Sequence, residues 1–225
     1  MNLTPLDGNT DFWNDFAPWY EKWIRRGEYH RLIANEISHM IEPGWEVLDI
    51  GAGTGALSIP LSSLGCNVRA LESFKGMRDI LNNKIESLNI RNIHVYSESW
   101  DNMPVHSVQG LDLVIACNSL HLYIGGLLQG MTRVFETMAN YICLVTEVNQ
   151  GISIDFKEID KLQVNYSFLY IKNLALNSSF YFESMNEVRQ LEALLNHKIN
   201  TTIEDGRLVQ KDTTDVAVLW WEKRL

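Results

Sequence analysis

The first forty residues of the chain alternate apolar and polar positions with helical spacing. Aromatic side chains recur there three or four residues apart, at Phe12, Phe16, Trp19, Tyr20 and Trp23. This spacing places side chains on one face of a helix and predicts two helices, at residues 11–26 and 28–41. Pro43 and Gly44 end the helical stretch because they form a turn signal.

From Trp45 onward, short apolar runs alternate with amphipathic segments. The runs predict strands at residues 45–50, 67–71, 93–96, 111–117 and 141–148. The segments among them predict helices at residues 54–64, 74–88 and 126–138. Strands that alternate with helices favour right-handed crossovers and a parallel sheet covered on both faces.

The C-terminal part departs from this alternation. A helix is predicted at residues 183–196, followed by strands at 198–204 and 215–221 that are antiparallel because the turn signal Asp205-Gly206 separates them. The fold class expected is therefore α/β: a doubly wound, mostly parallel seven-stranded sheet with a C-terminal antiparallel pair and an N-terminal helical cap.

We expect one domain over residues 1–225, with residues 1–43 as the helical cap. Residues 152–182, rich in Tyr, Phe, Leu and Ile, interrupt the alternation and are expected to form an insertion or lid. The apolar run at residues 166–171 also suits contacts between two copies of the chain, so a homodimer is an alternative use of this segment.

Charge and composition limit the classes of partner that we expect the protein to bind. The chain has 19 Lys and Arg against 28 Asp and Glu, a formal charge of -9, which repels polyanions and removes the counterion release that drives nucleic-acid binding. No apolar run approaches the ~20 residues of a membrane span. The N-terminus has no signal-peptide pattern, so we expect a cytoplasmic protein. The cysteines and histidines lack metal-ligand spacing, so no metal is expected.

The clearest chemical pattern lies where the strand at residues 45–50 meets the next helix. Gly51, Gly53 and Gly55 follow this strand, and glycines at such a turn let the backbone approach a ligand closely. Glu72 ends the next strand, where a carboxylate can accept both hydroxyls of a ribose. The pattern fits S-adenosylmethionine (SAM) and nicotinamide dinucleotides alike, since Ala56 completes G-x-G-x-x-(G/A).

Three observations favour SAM: about forty residues of helix precede the loop, Asp49 lies two positions before the first glycine, and the predicted sheet ends in an antiparallel pair. At these residues the sequence resembles the class I SAM-dependent methyltransferases, over residues 45–148 and the closing strands. The resemblance implies methyl transfer from SAM to a small-molecule acceptor, with S-adenosylhomocysteine as the product. It also implies a set of cofactor contacts: Asp49, Gly51 and Gly53 at the methionyl end, Glu72 at the ribose, and Ala52 and Ser73 beside them.

Two further segments carry the resemblance. Residues 98–104 stand where the family commonly has Gly-Asp-Ala-x-x-Leu-Pro, so Ser99 replaces the acid that contacts the adenine amino group. Ser99 is expected to hydrogen-bond the adenine and Trp100 to lie beside it, although Trp100 can equally be a hydrophobic plug beneath the loop. The helix containing Tyr20 resembles the helix that covers the cofactor in small-molecule members of the family, so Tyr20 is a further expected contact.

The strand at residues 111–117 leads into Asn118-Ser119-Leu120-His121. Asn118 is expected to contact SAM. The segment lacks the Asp/Asn-Pro-Pro-aromatic motif of base-modifying nucleic-acid methyltransferases. His121 is a candidate general base because the pKa of histidine lies near neutrality, and packing or capping is its alternative role.

Two other classes of function stay open at this point. A nicotinamide-dependent oxidoreductase would use the same glycine loop and the same acid. A methyltransferase-like protein could bind SAM without turnover, because Ser99 departs from the family pattern.

Overall fold

The structure, a computed structural model, describes residues 10–148, 156–162 and 165–224. The helices of this part are α1 (Thr10–Arg26), α2 (Tyr29–Ser38), α3 (Ser58–Ser63), α4 (Lys75–Ser87), α5 (Gly126–Glu136), α6 (Phe156–Leu162) and α7 (Met185–Leu195). The strands are β1 (Glu46–Ile50), β2 (Asn67–Leu71), β3 (Ile93–Tyr96), β4 (Leu113–Cys117), β5 (Tyr141–Glu147), β6 (Tyr166–Phe182), β7 (Thr202–Glu204) and β8 (Arg207–Lys223). No helix among these residues is long and apolar enough to cross a membrane.

The strands form one mixed sheet in the order β3-β2-β1-β4-β5-β8-β6, with β7 paired to β8 outside this row. Strands β1 to β5 are parallel, and β8 runs antiparallel to its neighbours. The order reverses at β1, which lies between β2 and β4, and ligands of open α/β sheets bind beyond the carboxyl ends of the strands at such a point. The predicted doubly wound α/β class is confirmed.

Both faces of the sheet are covered. Residues of β1 alternate between two apolar clusters, with Val47 on one face and Leu48 on the other. Buried residues of α1, α2, α3, α4 and α7 pack on the face of Val47, and those of α5 pack on the face of Leu48. The N-terminal helices therefore share a face with the helices that follow the glycine loop.

The expectation of a lid at residues 152–182 was wrong for its C-terminal half. Residues 166–182 form β6, which pairs antiparallel with β8 from Tyr166 to Phe182. Leu176, Phe180 and Phe182 are buried at alternating positions, which is the period of a strand that covers a core. Residues 152–155, 163 and 164 of this segment lie outside the described part of the chain.

Strand β6 also changes the number of strands and their pairing at the C-terminus from what the sequence predicted. The partner predicted for the last strand, at residues 198–204, is only the short β7, and the long antiparallel partner is β6. In the described part of the chain the sheet therefore has eight strands in place of the seven predicted. Phe168, Leu169 and Ile171 are exposed on the edge strand β6, and the homodimer stays a prediction.

Helix α3 is shorter than the pattern at residues 54–64 predicted. It begins at Ser58 because the preceding residues form turns in which Gly51, Gly53 and Gly55 have positive φ angles. Such angles do not belong to a right-handed helix, so the loop that approaches the cofactor is longer than expected.

Candidate cofactor and acceptor site

The glycine loop after β1 is held against the ends of two neighbouring strands. The backbone N–H groups of Gly51 and Ala52 donate to the carbonyl of Leu71 at 2.8 and 3.0 Å, which ties the loop to the end of β2. A Cβ atom added to Gly51, whose φ is +73°, would lie 2.4 Å from Cβ of Ser119 just beyond β4. Only glycine fits there, so the close approach of the loop to β4 requires this residue.

Glu72 follows β2 and points its carboxylate at the loop. Oε2 accepts a hydrogen bond from the N–H of Gly53 and Oε1 accepts one from the N–H of Phe74, each at 2.7 Å. The side chain is buried, and burial raises the pKa of Glu72 to about 7. Glu72, the residue expected to bind the ribose, therefore lies beside the glycine loop. Both of its carboxylate oxygens already accept hydrogen bonds from the backbone.

Asp49, the penultimate residue of β1, is buried beneath the loop. Its Oδ2 accepts a 2.6 Å hydrogen bond from Oγ of Ser58, the first residue of α3. Burial raises the pKa of Asp49 to about 6. This carboxylate fixes the start of α3 and adds negative charge below the position predicted for the methionyl end of SAM.

Helix α1 lies over the loop, and Tyr20 is its contact. Cε1 of Tyr20 lies 3.1 Å from the position of a Cβ added to Gly53. The Tyr20 hydroxyl hydrogen-bonds to Nε2 of His30 at 3.0 Å. Burial, together with the nearby Cys117 and Glu72, raises the pKa of Tyr20 well above its usual value. The Tyr20 ring thus covers the cleft in which the predicted cofactor ligands meet.

Polar contacts fasten α1 at both ends of the cleft. The side chain of Asn14 accepts a 2.8 Å hydrogen bond from the N–H of Gly76 in α4. Glu21 accepts hydrogen bonds from the Thr54 hydroxyl at 2.7 Å and from Lys84 at 2.9 Å. The Glu21 contacts attach the cap directly to the glycine loop.

A hydrogen-bonded group of three residues closes the other side of the cleft, at the ends of β4 and β5. Asn118, which has a φ of +48°, donates from Nδ2 to the hydroxyl of Tyr29 at 2.7 Å. Oδ1 of Asn118 accepts a 3.0 Å hydrogen bond from the N–H of Glu147. The Tyr29 hydroxyl lies 3.5 Å from Oε1 of Glu147.

The contact of Asn118 with SAM stays a prediction, and its partners Tyr29 and Glu147 were not among the predicted site residues. The position of Glu147 at the carboxyl end of β5 was the one feature that could have identified it, because ligands of such sheets bind at that edge.

Ser99 and Trp100, the two residues after β3 that are predicted to contact adenine, differ from each other in their surroundings. Trp100 is buried in the apolar cluster beneath the loop, its Nε1 donates to the carbonyl of Gly130 at 3.3 Å, and the guanidinium of Arg133 lies 5.3 Å from its ring centre. This packing favours the plug over the adenine contact. Ser99 is half-buried, and its carbonyl closes a turn with Met103 at 3.0 Å.

Two more of the predicted residues lie at the rim. Ser73 is exposed, and its carbonyl accepts a hydrogen bond from Arg78 at 2.9 Å. His121 is exposed in the short 3₁₀ turn Leu120–Leu122. Within the described part of the chain nothing hydrogen-bonds to its ring, so its role as a base stays a prediction.

Comparison with known proteins agrees with this geometry. Residues 47–138 match the family described as the methyltransferase domain. None of the curated proteins compared with the chain matches its sequence.

Solved structures share the fold at low sequence identity. A putative methyltransferase from Bacillus halodurans is similar with a TM-score of 0.61 and 12% identity, over 85% of this chain and 99% of that one. A putative RNA methyltransferase from Pyrococcus horikoshii is similar with a TM-score of 0.61 and 14% identity, over 88% and 84% of the two chains. The [4+2]-cyclase SpnF is similar with a TM-score of 0.60 and 10% identity, over 87% and 81%.

The methyltransferase domain matched at residues 47–138 and the fold shared with solved methyltransferase structures support a class I SAM-dependent methyltransferase. The nicotinamide alternative is not supported, because the glycine loop, Asp49 and Glu72 all belong to the segment that matches the methyltransferase domain.

Proposed function

We propose that the protein transfers a methyl group from SAM to a small-molecule acceptor. The observation that carries this proposal is the pair formed by Glu72 and the glycine loop. A buried carboxylate just after β2 lies within hydrogen-bond distance of Gly53 in the loop after β1. Two adjacent parallel strands thus bring the carboxylate that we expect to bind the ribose and the glycine loop to one edge of the sheet.

The residues of the cleft suit a cationic cofactor. Asp49 and Glu72 are buried acids next to the loop, and carboxylates attract the sulfonium and ammonium charges of SAM. The resemblance assigns Gly51, Ala52 and Gly53 to the methionyl end and Glu72 and Ser73 to the ribose. SAM supplies an electrophilic methyl group on a leaving sulfur. The protein's part is to align the acceptor with it and to exclude water.

Tyr20 lies against the loop surface that we propose binds the cofactor. Its ring rests on Gly53 and its hydroxyl lies near Glu72, so the same surface of the loop contacts either Tyr20 or the cofactor. We infer that α1 shifts when SAM binds and that Tyr20 then packs against the cofactor.

The choice of a small acceptor rests on the cap and on charge. Helices α1 and α2 pack aromatic side chains beside the glycine loop, and the Tyr20 ring lies against Gly53. The formal charge of -9 opposes a nucleic-acid acceptor. RNA is the acceptor class to test against, because one structural neighbour is described as a putative RNA methyltransferase.

A second candidate function is SAM binding without methyl transfer. Ser99 stands where the family usually has an acid, and a structural neighbour with a similar fold is described as a [4+2]-cyclase. A shared fold does not by itself establish the chemistry.

Calorimetry with S-adenosylhomocysteine, SAM and NAD tests the proposal. We expect both adenosyl ligands to bind, to raise the melting temperature because they bind the folded state, and NAD to do neither. Formation of S-adenosylhomocysteine with a pool of small metabolites, and not with total RNA, then supports the proposed acceptor class. Binding without product in either pool supports the second candidate.

A further inference from the structure

The carboxyl end of β5 presents one acid to the cleft. Glu147 is half-buried and is the last residue of β5. Its backbone N–H donates to Oδ1 of Asn118 at 3.0 Å, so the end of β5 is held against the end of β4. In the strand order β1 and β4 lie between β2 and β5, so Glu72 and Glu147 lie on opposite sides of the glycine loop at the same edge of the sheet.

The direction of the hydrogen bonds around Tyr29 is fixed. The amide nitrogen of Asn118 can only donate, so the Tyr29 oxygen accepts the 2.7 Å hydrogen bond between them. The Tyr29 proton is then free to point toward Oε1 of Glu147, at 3.5 Å. A hydrogen bond of this length is weak, so the carboxylate can accept a stronger one from a ligand.

Other polar groups of the cleft are less suited to receive an acceptor. His30 is buried among aromatic rings, and burial lowers its pKa to about 3. Burial raises the pKa of the Cys117 thiol. The oxygens of Glu72 bind the loop. Asp49 is fully buried beneath the loop and accepts a hydrogen bond from Ser58. Glu147 differs from these groups because it is only half-buried and its hydrogen bond from Tyr29 is long.

We propose that Glu147 is a catalytic residue that binds the acceptor, and that it selects a neutral nucleophile with an N–H or O–H bond. The inference rests on the proposed function. Tyr29 and Asn118 act as positioning residues, since they orient Glu147 and need not touch the acceptor. An anionic acceptor is repelled by the same carboxylate.

The charge movement during transfer explains the selection. The lone pair of the acceptor atom forms the new bond to the methyl carbon, and the electron pair of the carbon–sulfur bond stays on sulfur. Positive charge therefore leaves sulfur and appears on the acceptor nitrogen or oxygen, where a fixed carboxylate stabilises it. For an O–H acceptor, the proton then moves from the methylated oxygen to Glu147, and the product is a neutral ether. For an N–H acceptor, the product is an ammonium ion paired with Glu147, which loses its proton to water.

The test uses four small probes of similar shape: phenol, aniline, toluene and benzoate. Their dissociation constants are measured by ligand-observed NMR on the full chain with saturating S-adenosylhomocysteine. Phenol or aniline should bind about tenfold tighter than toluene, the effect of one hydrogen bond to a charged group, and benzoate should bind weakest. Comparison of phenol with aniline distinguishes the O–H from the N–H class.

Two variants complete the test. Glu147→Gln should reduce the preference for phenol or aniline over toluene to threefold or less, and it leaves the backbone hydrogen bond to Asn118 in place. Glu222→Gln is the matched control, because Glu222 accepts a hydrogen bond from the Tyr141 hydroxyl at 3.2 Å at the opposite end of β5. It should behave as the wild type, and both variants should keep wild-type affinity for S-adenosylhomocysteine.

The outcomes separate the inference from the proposed function. If S-adenosylhomocysteine binds but toluene or benzoate binds as tightly as phenol and aniline, or if Glu147→Gln keeps the full preference, then Glu147 is not the acceptor residue. If S-adenosylhomocysteine does not bind the wild type, the proposed function fails and the role of Glu147 fails with it.

Discussion

The buried carboxylate of Glu72 accepts a 2.7 Å hydrogen bond from the backbone N–H of Gly53. The bond joins the residue after β2 to the loop after β1, so the predicted ribose ligand also shapes the loop that approaches the cofactor. Ribose hydroxyls would donate to the same carboxylate. Cofactor binding and loop conformation should therefore be coupled through this one side chain.

The affinity for SAM should rise with pH. Burial raises the pKa of Glu72 to about 7 in the free protein, and a ribose hydroxyl donates more strongly to the ionised form. Below pH 7 binding must first remove a proton, so the association constant should fall by up to about tenfold per pH unit. Titration calorimetry at pH 6, 7 and 8 measures this dependence.

Glu72→Gln is the control for that pH dependence. Asp49, whose burial raises its pKa to about 6, remains in the variant and acts mainly below pH 6. The change in affinity between pH 7 and 8 should therefore disappear in Glu72→Gln. An equal change in both proteins would assign the dependence to another group.

Gly51→Ala should destabilise the protein more than Gly44→Ala. Both glycines have positive φ angles, +73° and +89°, but an added Cβ at Gly44 meets no atom within 4 Å, whereas at Gly51 it lies 2.4 Å from Ser119. Gly44→Ala should lower the free energy of unfolding only by the strain of a positive φ angle, about 1–2 kcal/mol. Gly51→Ala should cost about 1–3 kcal/mol more for the clash. Urea unfolding of the two variants gives the difference, and equal values would mean that the loop can move away from β4.

Acid should destabilise the folded state through His30. This side chain is buried and its pKa falls from 6.5 to about 3, so between these values the unfolded state binds more protons. Stability is therefore lost as pH falls from 6.5 toward 3. Between pH 6.5 and 4 the wild type should lose up to about 3 kcal/mol more than His30→Gln. The raised pKa values of Glu72 and Asp49 act in the opposite direction but are common to both proteins. Parallel stability curves of the two proteins would contradict the burial of a neutral His30.

Glu187→Gln should loosen the cap. Glu187 is buried at the start of α7 and accepts hydrogen bonds from Lys22 at 2.6 Å and from Arg26 at 3.2 Å, both on α1. Because the two cations are partly exposed, the variant should lose about 1–2 kcal/mol of its free energy of unfolding, less than the loss of a fully buried ion pair would cost. Glu183→Gln removes the exposed partner of Arg26 and should cost under about 0.5 kcal/mol. Thermal unfolding, monitored by tryptophan fluorescence, compares the two, and equal shifts would show that Glu187 does not fasten α1.

The parallel half of the fold could be predicted from sequence because local patterns determine it. Each of the five parallel strands is a short apolar run, and the loop after β1 is marked by Gly51, Gly53 and Gly55. Glu72 could be placed for the same reason, since its position depends only on where β2 ends.

Other features depend on contacts between distant parts of the chain. Strand β6 was not recognised because Phe168, Leu169 and Ile171 are apolar and exposed, which hides the alternation of buried residues further along. Tyr29 and Glu147 are 118 positions apart in the sequence, and they come into contact only after the cap has folded onto the sheet. No local pattern encodes such a meeting.

The central claim, that Glu72 and the glycine loop hold SAM, is tested most directly by calorimetry with S-adenosylhomocysteine. Glu72→Gln is preferred to Glu72→Ala, which would leave the N–H groups of Gly53 and Phe74 without partners. The exposed Glu98 supplies the matched control, Glu98→Gln. The wild type should bind S-adenosylhomocysteine with a favourable free energy of about 8 kcal/mol, which corresponds to a dissociation constant on the order of 1 µM. Glu72→Gln should bind about tenfold more weakly, and Glu98→Gln should bind as the wild type does. Absence of binding to the wild type, or undiminished binding to Glu72→Gln, would contradict this placement of the cofactor.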